Sequence, residues 1–361
     1  MEKNMKHLYK SAMFTDIHFG RKNNSEQHNQ DCLDFIIWFI KQVKLDPKID
    51  HIIFLGDWFE TRSAIDQHTI KFAQTACDLL NELNIPIYII VGNHDLYNKH
   101  SRDIHSSNIF KEYNNIIIIE EPQLRKEIGE KGSVLLPFLF KYEYVKLDKY
   151  KKYNVWFGHL ELNNFYITGY HKVIMEHAIN PDLLKGPEFI FTGHFHKRQS
   201  YENIIYIGSP FGYDFSDIED FDKGMCIFDH KTKNCNFINY DDGPKFIQIS
   251  LSDMLQQIAK KDLILPSKVS IRCIIDLQLS YEKYIKIKQL LSDSYDLRLV
   301  NFEESINLKD ALEDTTDTIE LDLSDESPVL NELVLKMLEN IDNEKIDNKK
   351  LIKIYKEIQN A

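Results

Sequence analysis

Five short polar clusters, Asp16-Ile17-His18, Gly56-Asp57, Gly92-Asn93-His94-Asp95, Gly158-His159 and Gly193-His194-Phe195-His196, each close an apolar run in this chain of 361 residues. The runs ahead of them, Ser11–Phe14, His51–Leu55, Ile85–Val91, Tyr153–Phe157 and Glu188–Phe191, are rich in β-branched and aromatic residues and read as strands buried on both faces. In an open α/β sheet the ligand crevice lies beyond the carboxyl ends of the strands. The five clusters are therefore expected on one rim, close in space though far apart in sequence.

The residue types suit a metal centre. Imidazole and carboxylate with one side-chain amide, and no thiolate, fit borderline-to-hard ions such as Mn, Fe, Zn or Mg better than a structural zinc site. Two such ions about 3.5–4 Å apart clamp the attacking and leaving oxygens of an in-line displacement and acidify water. A carboxylate must bridge them, and Asp57 is the candidate. Each cluster alone has a plainer reading: a capping Asp beside a surface His, a strand-to-turn Gly-Asp, a hydrogen-bonded core His, or an Asn-containing turn. Their joint occurrence, each behind a strand, points instead to metal-assisted phosphoester hydrolysis.

With these motifs the chain resembles the calcineurin-like metallophosphoesterases. It is more closely similar to the nuclease subunits of double-strand-break repair nuclease–ATPase complexes, the group of bacterial SbcD and the phage recombination endonuclease subunit. The resemblance covers residues 11–230 and weakens beyond them. It implies an α/β fold, a four-layer α/β/β/α sandwich with a small α+β capping domain and a C-terminal helical tail. It also implies that Asp16, His18, Asp57 and His196 surround one divalent metal ion and Asp57, Asn93, His159 and His194 a second, with manganese favoured. His94 would be no ligand; it would face the scissile phosphate and assist the leaving oxygen, a task for an imidazole titrating near working pH. Asp95 would orient His94. Ile204–Ile207 followed by Gly208-Ser209-Pro210 resembles the strand and Gly-Ser turn that border the phosphate site, against the reading of an ordinary loop. One departure stands out: Glu60 occupies the place where many cellular relatives carry a second helper histidine.

Composition sets the frame. The length allows one large core plus a smaller appended unit, and no apolar stretch approaches the roughly 20 residues that cross a bilayer. Met1–Lys10 lacks the apolar core of a signal peptide, which places the chain in the cytoplasm, that of the host for a viral protein. Cys32, Cys77, Cys226, Cys235 and Cys273 form no CxxC pair and read as reduced and buried. The net charge of −12 argues at first against a nucleic-acid partner. Glu303–Asp347, with 15 acids and 3 bases, accounts for all of that excess, so the rest of the chain is neutral and compatible with a local DNA groove.

These shifts divide the chain into a metallophosphoesterase nuclease domain over 1–250, a capping domain over 251–309, an acidic linker over 310–327 and a helical tail over 328–361. The capping domain reads as strand Ser267–Leu277, helix Ser280–Leu291 and strand Tyr295–Phe302. In the tail, Ser327 and Pro328 open a helix striped by Leu330, Leu333, Val334, Met337 and Ile341, and Leu351, Ile354, Tyr355 and Ile358 stripe a second. The tail either packs on its own domain or, as the resemblance favours, grips the coiled coil of an SbcC-like ATPase. Arg21–Gln30 reads as a loop ahead of a helix over Leu33–Val43. Asp66–Leu83 and Asp103–Tyr113 read as helices that in relatives form a homodimer interface, although Ile70, Ala73, Cys77, Leu80 and Leu83 could equally face the sheet. His28, His51, His68, His100, His105, His171, His177 and His230 receive no role.

The function expected is a two-metal-dependent DNA nuclease, exonuclease and endonuclease, that processes DNA ends in repair or recombination with an ATPase partner and no membrane. The competing readings are a phosphatase or small phosphodiesterase on the same metal scaffold, and a non-catalytic platform for an ATPase. Intact ligand positions weigh against the platform.

Overall fold

The β-branched and aromatic runs pair into two six-stranded mixed sheets packed face to face. The computed structural model describes residues 6–167, 178–277, 281–304 and 349–350. From edge to edge the first sheet runs Asn234–Asn239, Gly224–Asp229, Lys10–Phe14, His51–Phe54, Ile87–Ile90 and Ile116–Ile119, the last four strands parallel. The second runs Gln199–Tyr201, Ile204–Tyr206, Phe189–Gly193, Val155–His159, Ser133–Leu136 and Gln123–Arg125, its central four parallel.

Alternation along each strand sorts the side chains. Met13, Ile53, Ile90 and Ile119 meet Leu135, Phe157, Phe191 and Ile207 between the sheets. Ala12, Phe14, Ile52, Phe54 and Ile89 point outward, where the helices Glu26–Leu45 and Gln67–Asn81 cover them with Phe35, Phe39, Val43, Ala73, Cys77 and Leu80. That stripe of the second helix therefore faces the sheet.

The helix expected from Leu33 begins at Glu26, because the Ser25 hydroxyl accepts the His28 amide and caps it. The Asp103–Tyr113 segment is not helical. Ser101–His105 is a strand paired with Leu96–Asn98, followed by a 3₁₀ turn over Ser106–Phe110. Buried Arg102, bound to Glu143 and the Phe138 carbonyl, holds the extended backbone there. The polar Ser106, Ser107 and Asn108 that follow favour turns.

The outer face of the second sheet, with Trp156, Ile190 and Tyr206, is covered by 3₁₀ segments at Lys141–Tyr150 and Pro181–Leu184 and by Leu160, Leu162 and Phe165. Among the described residues no α-helix lies in that layer, where the sandwich expectation placed one.

A third sheet, Lys245–Ser250, Val269–Ile275 and Leu297–Glu304, is parallel throughout, with the helices Leu251–Lys260 and Tyr281–Ser294 between its strands. It has its own core of Leu251, Met254, Val269, Ile271, Leu291 and Val300. It starts at Lys245, ahead of the boundary expected after residue 250. Lys268 and Arg298 tie it to the Glu26–Leu45 helix, with Lys268 Nζ 2.8 Å from Asp34 and Arg298 Nη2 2.8 Å from Asp31. Residues 1–305 form one unit and 306–361 a second. The linker over 310–327 and the tail over 328–361 lie outside the described residues apart from Lys349 and Lys350. No described helix is long and apolar enough to cross a membrane. The five cysteines are free thiols, all buried except the half-buried Cys235.

Candidate metal centre

The strands ending at Phe14, Phe54 and Ile90 belong to the first sheet and those ending at His159 and Gly193 to the second, so the expected rim is shared by the two sheets. Their following turns bring the polar clusters together in two groups. In the first, His18 Nε2 lies 3.2 Å from His196 Nε2 and 3.8 Å from both Asp16 Oδ1 and Asp57 Oδ2. In the second, Asn93 Oδ1 lies 2.8 Å from both His159 Nε2 and His194 Nδ1, and Asp57 Oδ2 is 3.3 Å from His159 Nε2. Asp57 thus stands between the groups. The polar atoms of Asp16, His18 and His196, and those of Asp57, His159 and His194, each fall within 4.8 Å of one another.

The backbone is bent to achieve this. Asp16, His18, Asp57 and His194 all have positive φ, between 52° and 92°. Such conformations cost on the order of 1–3 kcal/mol each and persist only where the surroundings impose them. Two motif glycines are steric requirements. Gly56 has φ 105° and a Cβ there would collide with the His159 ring, while a Cβ on Gly92 would collide with the Asp57 carboxylate.

Surrounding groups fix the ligands. Asp16 accepts from Thr15 Oγ1 at 2.6 Å and from the His194 amide at 3.0 Å. His159 Nδ1 donates to the Leu55 carbonyl at 2.7 Å. Asp95, expected to orient His94, accepts instead from the amides of Gly92, Asp57 and Trp58 and from Ser106 Oγ, and so holds the Asp57 turn. His94 is fixed by its ring Nδ1, which donates to the Glu60 carbonyl at 2.7 Å, and by its amide, which donates to Asp57 Oδ1 at 2.8 Å. Ser209 is fully buried, with its amide and hydroxyl directed at the His196 carbonyl, while Gly208 turns the chain at φ 78°.

Several participants lie outside the motifs. The Glu60 carboxylate is 2.8 Å from His18 Nδ1 and also binds Arg21. Glu161 stands 3.7 Å from His194 Nε2. The Tyr213 hydroxyl donates to the Asp16 carbonyl. Lys223, buried and paired with buried Asp217 and half-buried Asp220, donates to the His196 carbonyl at 2.8 Å. The Glu161 carboxylate, two residues beyond the Gly158-His159 motif, left a local signal; Tyr213 and Lys223 left none.

Charge is concentrated and buried. Burial raises the Asp57 carboxyl, but the imidazoles of His159, His94 and His18 outweigh it and hold the group well below the usual carboxylate range. Burial disfavours the charged form of His159, yet Asp57 beside it lifts the imidazole to about 9. Burial and Asp57 raise the Asp95 carboxyl, and its amide donors offset only part of this. Burial, with His18, Arg21 and Lys223 nearby, pushes His196 well down.

The donor set fits a divalent ion. His159 Nδ1 keeps its proton on the Leu55 carbonyl, so Nε2 faces Asn93 Oδ1 at 2.8 Å and, without a metal, the second ring proton that Asp57 favours lies between them where a cation would take its place. Two acceptors that close repel unless a second proton or a cation lies between them. Asp57 offers a carboxylate to both groups without moving.

Residues 9–198 match the calcineurin-like phosphoesterase family. Exonuclease subunit 1 of Enterobacteria phage T4 is 30% identical over 229 residues, covering 62% of this chain and 65% of its own length. The SbcD component of the nuclease SbcCD from Staphylococcus saprophyticus is 27% identical over 252 residues, covering 67% of this chain and 61% of its own length. The DNA double-strand break repair protein Mre11 of Archaeoglobus fulgidus is 30% identical over 138 residues, covering 37% of this chain and 29% of its own length. The chain thus spans less than two thirds of each of these relatives. The matched span contains every polar cluster of the rim, and the chain belongs to the calcineurin-like phosphoesterase family.

Proposed function

We propose that the chain is a two-metal-dependent DNA nuclease that processes DNA ends in repair or recombination, alongside a coiled-coil ATPase of the SbcC kind. The observation that carries this reading is Asp57, whose carboxylate lies within 3.8 Å of an imidazole nitrogen in each group. The relatives are named as an exonuclease subunit, a component of the nuclease SbcCD and a break-repair protein.

In this reading Asp16, His18, Asp57 and His196 hold one divalent ion and Asp57, Asn93, His159 and His194 the other, most suitably manganese. When bound, the pair supplies Lewis-acid neutralisation of the phosphodiester and acidifies water. The protein's own residues do the rest. Asp57 keeps the two groups in register, and Asp95 fixes its turn through the backbone amides. The Leu55 carbonyl fixes the His159 tautomer, directing Nε2 at the centre. His94 keeps Nδ1 on the Glu60 carbonyl, so its proton donor toward the departing sugar oxygen is Nε2 in the imidazolium form. The Gly208-Ser209 turn braces the His196 loop at the edge of the phosphate site.

The same reading makes the third-sheet unit a capping domain over DNA, the 328–361 tail the ATPase-binding element and the assembly a homodimer in the cytoplasm. The test is substrate choice. Purified protein with manganese should degrade end-labelled linear and hairpin DNA and turn over an aryl phosphodiester more slowly. Turnover of the aryl diester with DNA left intact would replace the nuclease reading by that of a small phosphodiesterase.

A further inference from the structure

A cavity of about 580 Å³ opens beside the second ligand group and has Asn93 and His194 in its wall. Its volume lies within the range of about 300–1,000 Å³ typical of small-molecule sites. The rest of its lining is mainly aromatic, aliphatic and basic, with the Glu161 carboxylate on the side of His194. Phe140 and Tyr142 provide an aromatic wall, stacked with ring centroids 5.7 Å apart and planes 21° from parallel. Tyr142 is 64% exposed, whereas Phe140 is buried. The Arg102 guanidinium lies 4.8 Å over the Phe140 ring and is anchored to Glu143 Oε2 at 2.8 Å, which makes the wall rigid. Arg62 and Lys99 provide positive charge. Among the described residues Nη1 of the half-buried Arg62 has no hydrogen-bond partner, and a small shift of that side chain would offer the unmet donor to an anion in the cavity.

A rigid aromatic wall and two cations, one with an unmet donor, all next to the centre where a phosphodiester would react, describe the requirements of one nucleotide. We propose that this cavity is a nucleobase-stacking subsite that takes an unpaired nucleotide adjoining the scissile phosphate of single-stranded or frayed DNA. The base lies against Tyr142 and Phe140, and its phosphate meets Arg62 and Lys99. Every base has a π face, so such a site tolerates any sequence. A base inside a duplex is occupied by its own stack and must first leave it. The subsite therefore confers a preference for melted ends. This rests on the nuclease reading above and adds to it the structure of the preferred DNA.

The test uses full-length protein and a single-stranded oligonucleotide carrying 2-aminopurine at its terminal nucleotide. Binding is followed in EDTA, and cleavage with manganese is followed separately. Wild type should quench the fluorophore by stacking. Tyr142→Ala should abolish most of the quenching, weaken single-strand binding about tenfold and raise KM for the oligonucleotide. Its manganese affinity, read by calorimetry without DNA, should equal that of wild type, since Tyr142 is none of the candidate ligands. Tyr142→Phe should restore binding. Arg62→Gln should weaken binding and lower its salt dependence by about one phosphate contact. If wild type cleaves DNA while Tyr142→Ala and Arg62→Gln keep its affinity, quenching and KM, the subsite is refuted and the nuclease reading stands. If wild type neither binds nor cleaves DNA, both fall together.

Discussion

Asp57 stands between two sets of imidazoles, and the polar contacts around it serve to keep it there: Asp95 holds its amide, His94 donates to one of its oxygens and His18 and His159 flank the other. Most of this was legible because Asp, Asn and His directly after a strand are residues of turns as well as of metal sites, and four of them adopt the positive φ that such turns use. Tyr213 and Lys223 were not legible as participants, because each acts through a tertiary contact with no local spacing to announce it, whereas Glu60 was marked by its place just after the Asp57 motif. Glu60 stands out as a carboxylate against His18 Nδ1, where a helper imidazole was the family expectation. Glu60→Gln should therefore lower manganese affinity by about 10–100-fold, the usual effect of removing a partner behind a ligating histidine; calorimetric titration with manganese reads it directly. His94 hydrogen-bonds Asp57 through its amide, which the substitution keeps, so His94→Ala should bind the same number of ions as wild type and lose about 10²–10⁴-fold in cleavage rate. A His94→Ala protein that cleaves at the wild-type rate would remove this side chain from the chemistry.

The strands were read correctly where apolar runs are short and bounded by turn residues, and the rim followed from their direction. What the runs could not convey was that they divide between two sheets, since parallel pairing partners are set by tertiary packing. Helix limits depended on polar signals of single residues. Ser25 starts the Glu26–Leu45 helix ahead of its apolar stripe, and the buried Arg102 turns an apparent helix into a strand. The early start has an energetic consequence at His28, which becomes a buried helical residue donating to the His18 carbonyl at 2.9 Å. Burial lowers its imidazole from 6.5 to about 3. The unfolded chain takes up that proton near the ordinary value while the folded chain resists it. The stability contributed is thus complete above pH 6.5 and is lost as pH falls toward 3. Urea unfolding measured across that window should show stability declining with acidification, by up to a few kcal/mol from this group at about 1.4 kcal/mol per pH unit. His28→Gln should flatten the decline; an unchanged slope would place the acid sensitivity elsewhere.

At the scale of the molecule, a family catalytic fold carries an appended parallel unit fastened by Lys268 and Arg298 to acids of the first long helix. Composition revealed that unit and the acidic stretch after it, but placed its start too late, because the strand Lys245–Ser250 looks like a continuation of the main domain until its partner Val269–Ile275 is known. Removing residues 328–361 should abolish association with the ATPase and spare manganese-dependent cleavage of single strands, as read by co-elution and by gel assay. Retention of the complex would return the tail to packing on its own domain. The central claim, that Asp57 joins two metal positions into one DNA-cleaving centre, is tested most directly by the cleavage of end-labelled hairpin DNA in manganese by wild type and by folded Asp57→Asn at equal concentration. The expected result is digestion by wild type and its loss in Asp57→Asn. Digestion by Asp57→Asn at the wild-type rate would contradict the bridging role and with it the two-metal mechanism.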